Sequence, residues 1–167
     1  GYGLIRALVR PTDHVVIDLL AHACLQEGAA AATPHVHRFP HLSTDGVARR
    51  LHRLREIDPQ AGVLVVTESL FSMDSDSPDL GALQHLCRRH RATLMVDVAH
   101  DLGALGRGGR GALCLRMREI FGEALRLQLG MPRVAMQRMH GIFNLRQGTA
   151  QNLGQPFEFG LDMLLIL

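Results

Sequence analysis

The sequence predicts an α/β domain, a mostly parallel sheet flanked by helices, and three observations lead there. Short apolar runs rich in β-branched residues alternate with stretches of helical composition along residues 1–100. Two of the runs, Val63-Leu64-Val65-Val66 and Leu94-Met95-Val96, lack polar alternation, as strands buried on both faces do. Each ends in a carboxylate, Glu68 or Asp97, at the edge where open α/β sheets bind their ligands.

The elements follow in order. Residues 1–9 read as the end of a helix, stopped by Arg10-Pro11-Thr12-Asp13, because proline disfavours helical backbone in the residue before it. Residues 14–18 form a short strand, and residues 21–32 have alanine-rich helical composition that ends near Thr33-Pro34. Residues 36–40 are a second short strand. Ser43-Thr44-Asp45 caps a helix to about Ile57, in which Val47, Leu51 and Leu54 make an apolar stripe opposite the arginines. A strand over 62–68, a loop over 69–78 and a helix over about 79–90 come next. Pro78-Asp79 opens that helix, and Leu80, Leu83 and Leu86 are expected to face inward. The strand 93–97 follows, and the spacing of strands and helices requires crossover connections, which makes parallel pairing the economical architecture.

At Gly103 the texture changes to a glycine-rich, turn-prone connector over 103–111. Its Gly106, Gly108 and Gly111 have the spacing G-x-G-x-x-G, but they do not sit in the first turn of a βαβ unit. No ribose-binding acid follows at the required distance, so a dinucleotide site is set aside. Residues 113–127 have helical composition, and beyond Gly130 the pattern degrades towards a short apolar end over 161–167. The expected division is an α/β body over 1–112 and a divergent or irregular tail over 113–167. The tail reads equally as native divergence, a shifted reading frame or a misplaced gene boundary.

Eighteen basic residues against sixteen acidic ones give a net charge of +2, too weak a field for a nucleic-acid partner. Every basic residue is arginine, and the chain has no lysine. Cys24, Cys87 and Cys114 stand singly without C-x-x-C spacing, which excludes a disulfide framework or zinc knuckle and favours reduced, buried thiols. No basic-then-apolar leader opens the chain and no apolar run approaches a membrane span, so a soluble cytoplasmic location without membrane contact is expected.

Polar residues gather just past the strands. Thr67-Glu68-Ser69-Leu70-Phe71-Ser72-Met73-Asp74-Ser75-Asp76 follows one, Asp97-Val98-Ala99-His100-Asp101-Leu102-Gly103 follows another, and Asp18-Leu19-Leu20-Ala21-His22-Ala23 lies upstream. Together these segments resemble the α-oxoamine synthase family of fold-type-I pyridoxal-phosphate (PLP) enzymes, over residues 1–112. The resemblance implies a fragment of a fold-type-I PLP-dependent transferase large domain. It implies an acyltransferase that condenses an amino acid with an acyl-CoA, releasing carbon dioxide and CoA. It also implies a homodimer, because family active sites lie at a subunit boundary.

PLP withdraws electrons only while its ring nitrogen stays protonated, which a carboxylate against that nitrogen ensures. By resemblance Asp97 is that carboxylate; by spacing alone it is equally a strand-end aspartate capping the next turn. His100, three residues on, matches the histidine that contacts the cofactor's phenolic oxygen and helps position the substrate carbonyl. Standing alone it would be a solvated loop histidine. His22 matches the histidine that stacks on the ring, against the alternative of a partly buried histidine near a helix start. Ser72 matches the serine whose hydroxyl bonds the phenolic oxygen; Glu68 is a weaker candidate nearby, and Phe71 and Met73 read as packing residues.

Other constellations carry less. His35, His37 and His41 contain an H-x-H pair that could bind zinc, but no cysteine or acid completes a shell, so a surface strand is preferred. Asp74 and Asp76 lack the remaining ligands of a calcium loop. No G-x-S-x-G elbow supports a nucleophilic triad. A family enzyme holds PLP through a lysine that also removes the substrate's α-proton, and this sequence offers none. The family's phosphate-gripping turn would lie before residue 1. PLP is therefore expected to bind non-covalently at best, leaving the chain incomplete and inactive. The alternative is a non-catalytic structural or partner-binding α/β domain.

Overall fold

The computed structural model describes residues 1–101, 103–105, 111 and 163–166. The chain divides into two units, and residues 1–101 and 163–166 fall in one of them, the unit described below. Its order is α1 (Tyr2–Leu8), β1 (His14–Asp18), α2 (Ala23–Ala32), β2 (Val36–Phe39), α3 (Thr44–Ile57), β3 (Val63–Glu68), α4 (Leu80–Arg89), β4 (Thr93–Asp97) and β5 (Met163–Ile166).

The strands form one sheet in the order β2-β1-β3-β4-β5, and every pairing is parallel. Side chains alternate between the two faces of a strand. Val15, Ile17, Leu64, Val66 and Met95 therefore share a face, where they cluster with Ile5 of α1 and Leu25 and Ala29 of α2. On the other face α3 turns in Val47, Leu51 and Leu54. All six residues of β3 are buried, as its unbroken apolar run implies for a strand covered on both sides. Gly28 permits the close approach of α1 and α2, since a Cβ there would stand 3.0 Å from the Tyr2 Cα.

Capping fixes where helices begin. Ser43 Oγ accepts from the Gly46 amide at 3.0 Å, and Asp79 Oδ1 accepts from the Ala82 amide at 2.9 Å. In α4 the buried positions are Leu80, Leu83, Gln84 and Cys87, whereas Leu86 is only half-buried. A 3.6-residue period carries the stripe from 83 to 84 and 87, which leaves position 86 on its flank. Met73, expected to pack, is 90% exposed, because the turn at 71–75 carries it outward; Phe71 is buried as expected. Cys87 is buried, but Cys24 is only half-buried. The short apolar end supplies β5, which aligns Ile166 with Asp97. The glycines at 106 and 108, the helix expected over 113–127 and Cys114 lie outside the described residues. Among the described residues, no helix is long and apolar enough to cross a membrane.

Candidate active site

The strand order reverses at β1. The connection through α2 leads outward to β2, and the one through α3 returns to β3 on the other side. A crevice forms where such a reversal parts the connections, outside the carboxyl ends of the strands. At those ends stand three carboxylates on neighbouring strands: Asp18 on β1, Glu68 on β3 and Asp97 on β4.

Glu68 ties the site together. It is 4% exposed, and its Oε1 accepts the His22 amide at 2.7 Å, fastening the start of α2 to the end of β3. Burial pushes the Glu68 carboxyl above the usual carboxylate range. The His22 amide opposes that push, the Asp97 charge adds to it, and the imidazoles of His100 and His22 pull it back down. Glu68 thus feels all three of the neighbouring candidates.

His22 is the N-cap of α2, and its Nδ1 lies 3.3 Å from the Cys24 amide nitrogen and 3.1 Å from Cys24 Sγ. Its ring is exposed over this edge. Asp97 is half-buried and sits opposite Glu68 in the β3–β4 register. Its Oδ1 accepts from the Ala99 amide at 3.0 Å, so it does cap the following turn while keeping acceptor capacity for a ligand. His100 is exposed beside it. The structure therefore brings His22, Asp97 and His100 around Glu68. Ser72 lies in the exposed loop after β3, without a side-chain hydrogen bond to any of them among the described residues.

Beside this group stands an arrangement that sequence reasoning missed. His41 does not join His35 and His37; its Nδ1 lies 2.8 Å from Asp18 Oδ1, and its Nε2 lies 3.2 Å from both carboxylate oxygens of Asp76. Asp18 is wholly buried and also accepts the amides of Leu20 and Leu42. The signal was positional, since Asp18 ends β1 while His41 and Asp76 follow β2 and β3 at the same sheet edge. Instead of His41, His14 completes the other histidine group, with its Nδ1 2.9 Å from His37 Nε2 and its ring 5.0 Å from that of His35. No group able to hold a metal ion occurs among the described residues.

Sequence comparison matches residues 1–122 to the family described as aminotransferase class I and II. The 8-amino-7-oxononanoate synthase of Paracidovorax citrulli is 43% identical over 111 residues, covering 66% of this chain and 26% of that enzyme. Among solved structures, Sphingomonas wittichii serine palmitoyltransferase superposes with a TM-score of 0.62 at 32% identity, over 71% of this chain and 29% of that one. A serine palmitoyltransferase variant from S. paucimobilis with a bound PLP–myriocin aldimine gives 0.59 at 31% identity, over 65% of this chain and 26% of that one. The chain spans 26 to 28% of the length of the first two curated relatives it matches.

Proposed function

Since this chain belongs to the class I and II aminotransferases, as a partial chain of their α-oxoamine synthase branch, we propose that it carries the ring-recognising floor of a PLP site. The whole protein would be an acyltransferase condensing an amino acid with an acyl-CoA, working in the cytoplasm as a homodimer. The observation that carries this reading is the grouping of His22, Asp97 and His100 around the buried Glu68 at the switch-point edge.

The donor set suits the cofactor. Asp97 retains acceptor capacity in a half-buried place, which suits a carboxylate that holds a proton at a pyridine nitrogen. The exposed His22 ring, anchored by its own amide on Glu68, offers a flat polarisable surface for stacking. His100, the catalytic candidate, stands where it could donate to a phenolic oxygen and orient a carbonyl, with Ser72 as a second donor from the loop. PLP, when bound, supplies the electron sink that stabilises negative charge at an amino acid's α-carbon. The sequence has no lysine, so neither a covalent anchor nor a lysine base comes from these residues. Binding by this chain is non-covalent, and turnover by it alone is absent.

Fluorescence titration of the chain with PLP tests the reading. Saturable binding that dialysis reverses is expected, weakened about tenfold in Asp97→Asn, where a charge-assisted contact becomes a neutral one. His22→Ala should also weaken it. Absence of saturable binding, or affinity indifferent to both substitutions, overturns the proposal. The lack of lysine favours one other reading, that the segment serves only a structural or partner-binding role; failure to bind PLP with the fold intact would select it.

A further inference from the structure

We propose that His41 is a positioning residue whose ring, clamped between Asp18 and Asp76, fixes the loop 69–78 and so sets where Ser72 stands at the carboxyl edge of the sheet. Only the consequence at Ser72 rests on the proposed cofactor site; the clamp rests on geometry.

Each ring nitrogen faces carboxylate oxygen, with Nδ1 2.8 Å from Asp18 and Nε2 3.2 Å from Asp76. A neutral imidazole has one N–H, so it satisfies one carboxylate and turns a lone pair towards the other; both contacts are favourable only for the imidazolium. One jaw is immobile, because Asp18 is wholly buried and also takes the Leu20 amide at 2.9 Å and the Leu42 amide at 3.0 Å. The other jaw belongs to the loop. Asp76 accepts the Phe71 amide through its carbonyl at 2.9 Å, and the Phe71 carbonyl accepts the Ser75 amide at 2.9 Å. Ser75 holds a left-handed φ of 56° in that turn, a conformation that needs support in a non-glycine residue. The buried Phe71 ring stands perpendicular to His41 at 4.4 Å. Ser72 lies inside the turn so closed, so the ring nitrogen that reaches Asp76 restrains it.

The titratable groups facing His41 are Asp18 from β1 and Asp76 from the loop. Burial pulls the imidazole down, but the hydrogen bonds and charges of the two carboxylates outweigh it and hold the ring above the ordinary histidine range. The clamp is thus complete at and below that range and loses a contact as pH rises through the elevated value.

Amide hydrogen exchange at Phe71 and Ser75, corrected for intrinsic rates, reads the clamp directly in the full chain. Protection should be greatest near about pH 6 and fall towards about pH 9. Asp76→Ala removes the partly exposed jaw and should lower protection at the acid end about tenfold, with the pH dependence gone. His41→Asn keeps a donor towards Asp18 but cannot reach Asp76, and should do the same while amides of β1 and β3 stay protected. Flat protection across pH in the unaltered chain, or full protection in Asp76→Ala, overturns the clamp. PLP affinity should fall several-fold in Asp76→Ala; unchanged affinity overturns the link to Ser72. If the loop behaves as described but PLP never binds, the clamp stands and the cofactor reading falls.

Discussion

Replacing Asp18 should be among the costliest single changes in the domain. Its carboxylate is fully buried and accepts three contacts, from the Leu20 amide, the Leu42 amide and the His41 ring. The second of these supports Leu42 at a φ of 58°, a left-handed conformation costly for a branched residue. Alanine would leave two amides short of an acceptor and an imidazolium facing only the partly exposed Asp76. Breaking a buried pair in this way costs about 3–5 kcal/mol. Against a total stability of about 5–15 kcal/mol, Asp18→Ala would be marginal, whereas Asp18→Asn keeps the shape and should lose about 1–3 kcal/mol. Urea unfolding followed by circular dichroism would measure both, and a cycle with His41→Ala, which removes the ring contact to Asp18, isolates the pair term. Because the His41 pKa is raised in the folded state, its stabilisation is fully present below the ordinary histidine value and lost as pH rises through the folded one. Coupling should therefore shrink from about pH 5.5 to about pH 9. A loss under about 1 kcal/mol for Asp18→Ala, or coupling that grows with pH, would refute the reasoning.

Three further outcomes are expected. Glu68 has its pKa raised by burial, so the unfolded chain loses its proton first and stability falls as pH climbs from the ordinary carboxylate value through the folded one. Glu68→Gln keeps an acceptor for the His22 amide, so unfolding midpoints should show it matching or exceeding the parent at neutral pH, with that slope removed. His14 and His37 are both depressed, chiefly by burial, and next by His35 in the case of His14 and by His14 in the case of His37. Stability should consequently drop as pH falls below the ordinary histidine value, and titration of the ring protons by NMR should show both rings resisting protonation. Thr67 Oγ1 is buried without a hydrogen-bond partner among the described residues. Thr67→Val should therefore be neutral or raise stability by up to about 1 kcal/mol in the same urea assay.

The strands and helices of residues 1–97 were legible because each has a strong local signal. Unbroken apolar runs mark β3 and β4, Ser43 and Asp79 mark helix starts, and the lengths between strands admit only crossovers. What the sequence hid depends on long-range pairing. His41 lies 23 residues from Asp18 and 35 from Asp76, and no local pattern announces that three loops meet. Read locally, His41 grouped with His35 and His37. The sheet overrides that grouping, because His14 opens β1 and sets its ring against His37 of β2, whereas His41 lies past the far end of β2. Four residues of β5 likewise gave only an apolar end, since a single short run cannot reveal its partner strand.

The three strand-end carboxylates show why the candidate site falls where it does. Side by side at one edge, Asp18, Glu68 and Asp97 would repel one another, and each escapes that cost differently. Asp18 is held by the Leu20 and Leu42 amides and, while the ring is protonated, by the His41 imidazolium. Glu68 is relieved by the His22 amide, by nearby imidazoles and by its own elevated pKa. Asp97 is the half-buried member, with a single local amide on its carboxylate among the described residues. That carboxylate keeps acceptor capacity, and in the proposed site a protonated heterocycle with its ring against His22 would pair with it. Asparagine at 97 keeps an acceptor for the Ala99 amide, so Asp97→Asn should leave the ligand-free fold intact while weakening PLP binding. Measured together, an equally stable Asp97→Asn with poorer binding identifies a ligand-directed charge; a less stable variant with unchanged binding would reduce Asp97 to a turn cap.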